Sequence, residues 1–133
     1  MMKWILLDTN TVSHIIRNHP KVLERLVKVP IASLCISSIT YAEIQYGLAK
    51  RPEAKQLHLT MTEFLKRVDV LAWDKEVADY YGTLRAGMET QGKNLSSLDL
   101  QIAAHALAVD AVLVTNDKAF AQVPRLKLQD WTS

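Results

Sequence analysis

The sequence predicts an α/β domain with a parallel sheet, and three observations predict it. Short apolar runs alternate with helical stretches along the chain. Two of those runs, Trp4 to Leu7 and Ala111 to Val114, have no polar face, as expected of strands covered on both sides. Each run ends in a polar turn sequence, Asp8-Thr9-Asn10 or Thr115-Asn116-Asp117.

The elements follow in order. Trp4 to Leu7 is the first strand, and a helix of mixed polarity covers Thr11 to Arg17. Pro20 opens the next helix, since its fixed φ suits a first helical position, and Pro30 stops it. Val22, Leu23, Leu26 and Val27 share one face of that helix. Leu34 to Ser37 is the second strand. Ser37, Ser38 and Thr40 are candidate caps for a helix that runs to about Lys50, before Pro52. Glu53 to Arg67 reads as a helix, with Leu57, Met61, Phe64, Leu65 and Val68 at helical spacing. Val68 to Trp73 is the third strand. Asp74 caps a long helix to about Thr90, and Gly92 ends the element. Ser96 or Ser97 caps an apolar helix, Leu98 to Val109, ahead of the fourth strand, Ala111 to Val114. A short helix over Lys118 to Gln122 and an edge strand over Leu126 to Leu128 complete the pattern. Pro124 is tolerated just before an edge strand.

Bulk properties narrow the class. A chain of 133 residues is long enough for one domain with a real core, and the expectation is a single domain over 1–133. With 49% hydrophobic and 23% charged residues it is globular rather than disordered. A net charge of +2 neither demands nor excludes nucleic acid, because a local patch matters more than the sum. Cys35, the one cysteine, lies in the apolar run Leu34-Cys35-Ile36 and reads as a small buried hydrophobe. Asp8 ends the first apolar stretch too early for a signal peptide, and no run approaches the roughly 20 apolar residues of a membrane span. A cytoplasmic protein is expected.

The chemistry lies in the acids, of which the chain has 14. Glu24, Glu53, Glu63, Asp69, Glu76, Asp79, Glu89, Asp110 and Asp130 fall on polar faces or loops, where a solvated charge needs no explanation. Asp74 already has a role as a cap. Four remain. Asp8 and Asp117 sit just past buried strands, at the sheet edge where open α/β sheets bind ligands. Glu43 and Asp99 come early in helices, where the helix dipole also favours an acid. Caps and turns explain each acid singly. They do not explain four acids converging on one edge.

Acids held together repel and raise one another's pKa, so a cluster suggests a divalent cation. Magnesium prefers oxygen ligands. Two or three carboxylates would hold it and leave places for a phosphate oxygen and an attacking water. Asn10 and Thr115 are candidates to orient the carboxylates from behind, whereas Thr9 and Asn116 suit the turns themselves. Other chemistries lack their motifs: there is no glycine-rich phosphate loop and no zinc spacing. His14, His19, His58 and His105 are scattered, and His105, in Ala103-Ala104-His105-Ala106, reads as a core or interface histidine. An aspartyl-phosphate phosphatase would carry an acid two residues after its nucleophile, where this chain has Asn10.

The segments holding these acids resemble the PIN-domain nucleases, and within them the VapC toxins of type II toxin–antitoxin pairs. The resemblance rests on Leu7-Asp8-Thr9-Asn10, on Ile39-Thr40-Tyr41-Ala42-Glu43-Ile44-Gln45-Tyr46-Gly47, on Asp99-Leu100-Gln101-Ile102-Ala103-Ala104-His105-Ala106-Leu107, and on Leu113-Val114-Thr115-Asn116-Asp117. It spans nearly the whole chain, and the four segments in this order are specific. It implies a three-layer α/β/α domain with a four- to five-stranded parallel sheet. The implied activity is an endoribonuclease that depends on Mg2+, with Mn2+ as the alternative, and that inhibits translation. Asp8, Glu43, Asp99 and Asp117 fall on the family's acidic quartet, with Asp8, Asp99 and Asp117 as metal ligands. The resemblance further implies a homodimer and a VapB-type antitoxin that joins it in a larger DNA-binding complex.

The antitoxin's tail would lie between the helices over Thr40 to Lys50 and Glu53 to Arg67. Ile44, Tyr46, Leu48, Leu57, Met61 and Leu65 are candidate lining, although several of them must be core, with Tyr46 the one expected to be partly exposed. Lys93, Arg85 and Lys118 lie closest in sequence to the acids and are candidates to seat an RNA backbone, although a solvated surface role suits each as well. The chain departs from the family where a Gly-Pro-type turn often precedes the third acid, since Asn94-Leu95-Ser96-Ser97 stands there. Relatives cut transfer RNA or ribosomal RNA, and no motif here chooses between them. Two other readings stay open: a binding module that holds RNA without cutting it, and a structure-directed DNA nuclease, for which the chain leaves little room.

Overall fold

A computed structural model describes residues 3–133; Met1 and Met2, part of the stretch read as lacking a signal peptide, lie outside it. Five parallel strands form one sheet in the order β3-β2-β1-β4-β5. The strands are β1 (Ile5–Leu7), β2 (Leu34–Ser37), β3 (Asp69–Leu71), β4 (Val112–Val114) and β5 (Lys127–Gln129). The helices are α1 (Thr9–Ile16), α2 (Pro20–Leu26), α3 (Ser38–Ala49), α4 (Lys55–Leu65), α5 (Lys75–Thr90) and α6 (Ser97–Ala108). A 3-10 turn, Lys118–Gln122, follows β4.

Sequence alternation decides which layer each strand residue enters. Leu7, Leu34, Ile36 and Val114 point into one core, filled by Val12, Ile15, Val22, Ile44, Leu48, Met61 and Val68. Leu6, Cys35 and Leu113 point the other way, into a core built with Met88, Leu100, Ile102, Ala103, Ala106 and Phe120. The central strands are thus buried on both faces, while the edge strands β3 and β5 are largely exposed. Cys35 is fully buried, and burial pushes its thiol pKa up to about 12.

Local chemistry sets the helix starts. Asp8, Ser37, Asp74 and Ser96 are the N-caps of α1, α3, α5 and α6, each accepting from a backbone N–H of the first turn. Pro20 is the first residue of α2, and Gly92 takes φ +68° just beyond α5. Trp131 lies past the last element expected from sequence. It is buried at 1% exposure against the first core, with Nε1 donating to Gln129 Oε1 at 3.0 Å. That burial fastens the end of the chain to the sheet.

The candidate antitoxin lining divides between core and surface. Ile44, Leu48 and Met61 are core residues, and Leu57 and Leu65 pack half-buried against that core. Helical spacing marks a face as apolar but does not say what covers it. Tyr46 is exposed, as are Leu59 on α4 and Val70 on β3.

Chain order also creates the site. The chain builds β1, β2 and β3 outward in one direction, then returns to lay β4 on the other side of β1. A crevice opens at the carboxyl ends of β1 and β4, where the direction reverses. Asp8 and Asp117 stand on its two sides.

Candidate active site

At this crevice lies a cleft of about 220 Å³ lined by Asp8, Thr9, Asn10, Glu43, Leu98, Asp99, Ile102, Asp117 and Phe120. All four acids singled out by position therefore share one cleft.

Asp8 is 6% exposed. Its Oδ1 accepts from Thr11 N–H at 2.8 Å, and its own N–H donates to Val114 O at 3.2 Å. Thr11 Oγ1 donates to the same carbonyl at 2.9 Å, so the exits of β1 and β4 are fastened together. Asp117 caps the 3-10 turn, with Oδ1 accepting from Ala119 N–H at 2.9 Å. Asp99 is the third residue of α6, and its N–H donates to Ser96 Oγ at 3.1 Å. Glu43 is exposed on α3. It is the sixth residue of that helix, outside the first turn, so the helix dipole does not account for it.

The electrostatics are unbalanced. None of the four acids takes part in an ion pair among the described residues. Burial raises the Asp99 pKa first, the Ser96 bond opposes it, and the charges of Asp117 and Asp8 raise it further. Leu98, Ile102 and Phe120 supply the apolar wall behind that burial.

The donor set fits a hard divalent cation: carboxylate oxygens, no sulfur, and negative charge with which no cation among the described residues pairs. The acids line the cleft rather than meet at one point. Among the described residues no three His, Cys, Asp or Glu side chains are gathered closely enough to enclose an ion. Asp8 and Asp117 each commit one oxygen to a cap, which holds them to their own elements.

The other candidates separate clearly. Asn10 is exposed and lines the cleft. Thr115 is buried outside it and accepts from Asp117 N–H at 3.0 Å, so its hydroxyl fixes the turn backbone beneath the acid. Arg85 is held by Tyr81 Oη at 2.8 Å and by Glu89, and Lys93 donates to Gln122 O at 3.2 Å. Lys118 is exposed beside Asp117. At the departure from the family turn, Ser96 caps α6 and Gln122 Nε2 donates to Asn94 O at 3.3 Å. Sequence reading missed the apolar wall. Leu98, a leucine beside an acid in a first helical turn, was its one visible sign.

Comparison with known proteins agrees with this geometry. The PIN domain family model matches residues 5–126. The chain is 38% identical to Ribonuclease VapC2 of Rickettsia felis, covering 95% of this chain and 96% of that protein. It is 35% identical to the tRNA(fMet)-specific endonuclease VapC of Salmonella typhimurium, covering 98% and 99%. Among solved structures it is similar to DNA-bound VapBC from Salmonella typhimurium, with TM-score 0.89 and 32% identity over 98% of this chain and 99% of that one.

Proposed function

This chain belongs to the PIN-domain family, and on that premise we propose that it is the ribonuclease toxin of a VapBC-type toxin–antitoxin pair, a metal-dependent endoribonuclease. One observation carries the reading: four acids from four segments line a single cleft, and no cation among the described residues pairs with any of them. The curated relatives named as ribonucleases match over nearly their full length.

Asp8, Asp99 and Asp117 would hold Mg2+, or Mn2+ in its place, with Glu43 as the fourth catalytic acid. A bound ion supplies the charge that activates water and offsets the negative charge growing on a phosphodiester. The chain supplies the rest. The Asp8 cap and the Thr11–Val114 bond fix the first carboxylate at the switch point. Ser96 holds the start of α6, and so Asp99, opposite it. Thr115 holds the Asp117 turn. Leu98, Ile102 and Phe120 limit water around Asp99 and strengthen electrostatic interactions there.

The proposal extends to the cellular role. The chain acts as one domain in the cytoplasm, as a homodimer bound by a VapB-type antitoxin, in a complex that binds DNA as the VapBC of Salmonella typhimurium does. Its target is an RNA whose cleavage inhibits translation, and the likeness to a tRNA(fMet)-specific endonuclease makes transfer RNA the first to examine. The test is sequencing of RNA 5′ ends after brief expression of wild type and Asp8→Asn. Discrete new ends with wild type alone support the reading. The same ends with Asp8→Asn, or none with either protein, contradict it.

A further inference from the structure

His105 is a fully buried ionisable side chain with no part in the chemistry above. It is fully buried on α6, six residues beyond Asp99. Its Nδ1 shares a 2.8 Å hydrogen bond with Ser37 Oγ, itself fully buried. Ser37 ends β2 and caps α3, accepting from Ile39 N–H at 3.1 Å. The bond therefore joins the helix that carries Asp99 to the start of the helix that carries Glu43. Two further hydrogen bonds close a ring around it. Ser38 Oγ accepts from Trp73 N–H at 3.0 Å, and Trp73 Nε1 donates to Gln101 O at 3.0 Å. His105 Nε2 has no protein partner among the described residues. A buried imidazole with one unpartnered nitrogen is costly where a leucine would simply fill space. That cost argues for a role of the Nδ1 bond beyond packing.

We propose that His105 is a positioning residue: through Ser37 it fixes α6 against the start of α3 and so sets the placement of Asp99 relative to Glu43. The inference rests on the acids of this cleft forming the metal site. Removing a hydrogen bond that orients a metal ligand typically changes metal affinity or activity by about 10- to 100-fold; here the bond acts on the ligand's helix, and small displacements of a catalytic group have comparable effects.

The experiment measures Mn2+ affinity by calorimetry and folding by thermal melting, on the full chain. Three variants are compared with wild type: His105→Leu, His105→Asn and His105→Gln. Leucine fills the space without bonding. The asparagine amide reaches the Nδ1 position and can bond to Ser37, whereas the glutamine amide extends towards the Nε2 position.

The expected result is Mn2+ binding weakened about 10- to 100-fold in His105→Leu and His105→Gln, and within about threefold of wild type in His105→Asn. Folded His105→Leu with wild-type affinity overturns the proposal. Should His105→Leu not fold, the two amides decide: equal affinity in His105→Asn and His105→Gln overturns it. Wild-type protein that binds no Mn2+ overturns the metal reading itself, and the positioning role with it. Wild-type binding with unchanged variants overturns the positioning role alone.

Discussion

The two ends of the strands handle charge in opposite ways. At the amino end, Lys3 precedes β1, Asp110 precedes β4 and Lys127 opens β5. These groups are exposed and largely answered: Lys127 Nζ lies 3.0 Å from Asp110 Oδ1, with side chains 51% and 83% exposed. Contact with Lys127 lowers the Lys3 pKa, and Asp110 raises that of Lys127. At the carboxyl end four acids share a cleft, one of them buried, and no cation among the described residues pairs with any of them. The same sheet thus carries one rim whose acid is paired and another whose acids are not. Acids held together without a partner repel one another, and a bound divalent cation, as proposed for this cleft, would offset that repulsion.

The sharpest break of the comparison is Asp8→Asn. Asparagine caps a helix about as well as aspartate, so the melting temperature of the metal-free protein stays close to wild type. Metal-dependent RNA cleavage falls on the order of a thousand-fold, the equivalent of several kcal/mol of lost transition-state stabilisation. Asp8→Ala loses the same activity and also about 1 kcal/mol of cap stability, read by denaturant melts. An active Asp8→Asn protein would erase the distinction between the two ends.

Asp99→Asn is expected to separate stability from function. Burial and the neighbouring charges of Asp117 and Asp8 disfavour the ionised carboxylate. Neutralising it raises the metal-free melting temperature while cleavage is lost. A lower melting temperature would place Asp99 among the structural caps.

A third effect concerns pH. Burial depresses the His105 pKa, and the charge of Asp74 opposes this only in part. The unfolded chain therefore takes up a proton at pH values where the folded ring remains neutral. Stability is full above the ordinary histidine value of 6.5 and falls as pH drops below it. His105→Asn removes that contribution, so its stability against pH between 7 and about 5 is flatter than that of wild type. Equal slopes would contradict the assignment of a neutral buried ring.

The smallest effect belongs to the rim whose acid is paired. Asp110→Asn breaks an exposed pair and leaves both cleavage and melting temperature at wild-type values, because exposed ion pairs contribute little. Loss of cleavage there would mean that the two ends are coupled.

Most elements were legible because their signals are local. β2 occupies Leu34–Ser37 as the apolar run indicated, and Pro20, Asp74 and Ser96 start their helices as capping chemistry requires. The position of Asp8 and Asp117 past buried strands was enough to place both at the carboxyl edge of the sheet; that β1 and β4 flank the switch point needed the strand order. What stayed hidden depends on packing between distant segments. The Ser37–His105 bond spans 68 residues, and no periodicity encodes it. Ile44, Leu48 and Met61 show the same limit, since their apolar spacing fits a docking groove as well as the core they enter. Thr115 was expected to face carboxylates, yet its hydroxyl serves the Asp117 backbone, a distinction of side-chain direction that residue type does not carry.

Calorimetric titration of Mn2+ into wild type, Asp8→Asn and Asp110→Asn tests the central claim most directly. Binding by wild type and Asp110→Asn alike, weakened at least tenfold in Asp8→Asn and displaced by Mg2+, is the expected result. Equal binding by Asp8→Asn and wild type would contradict the account.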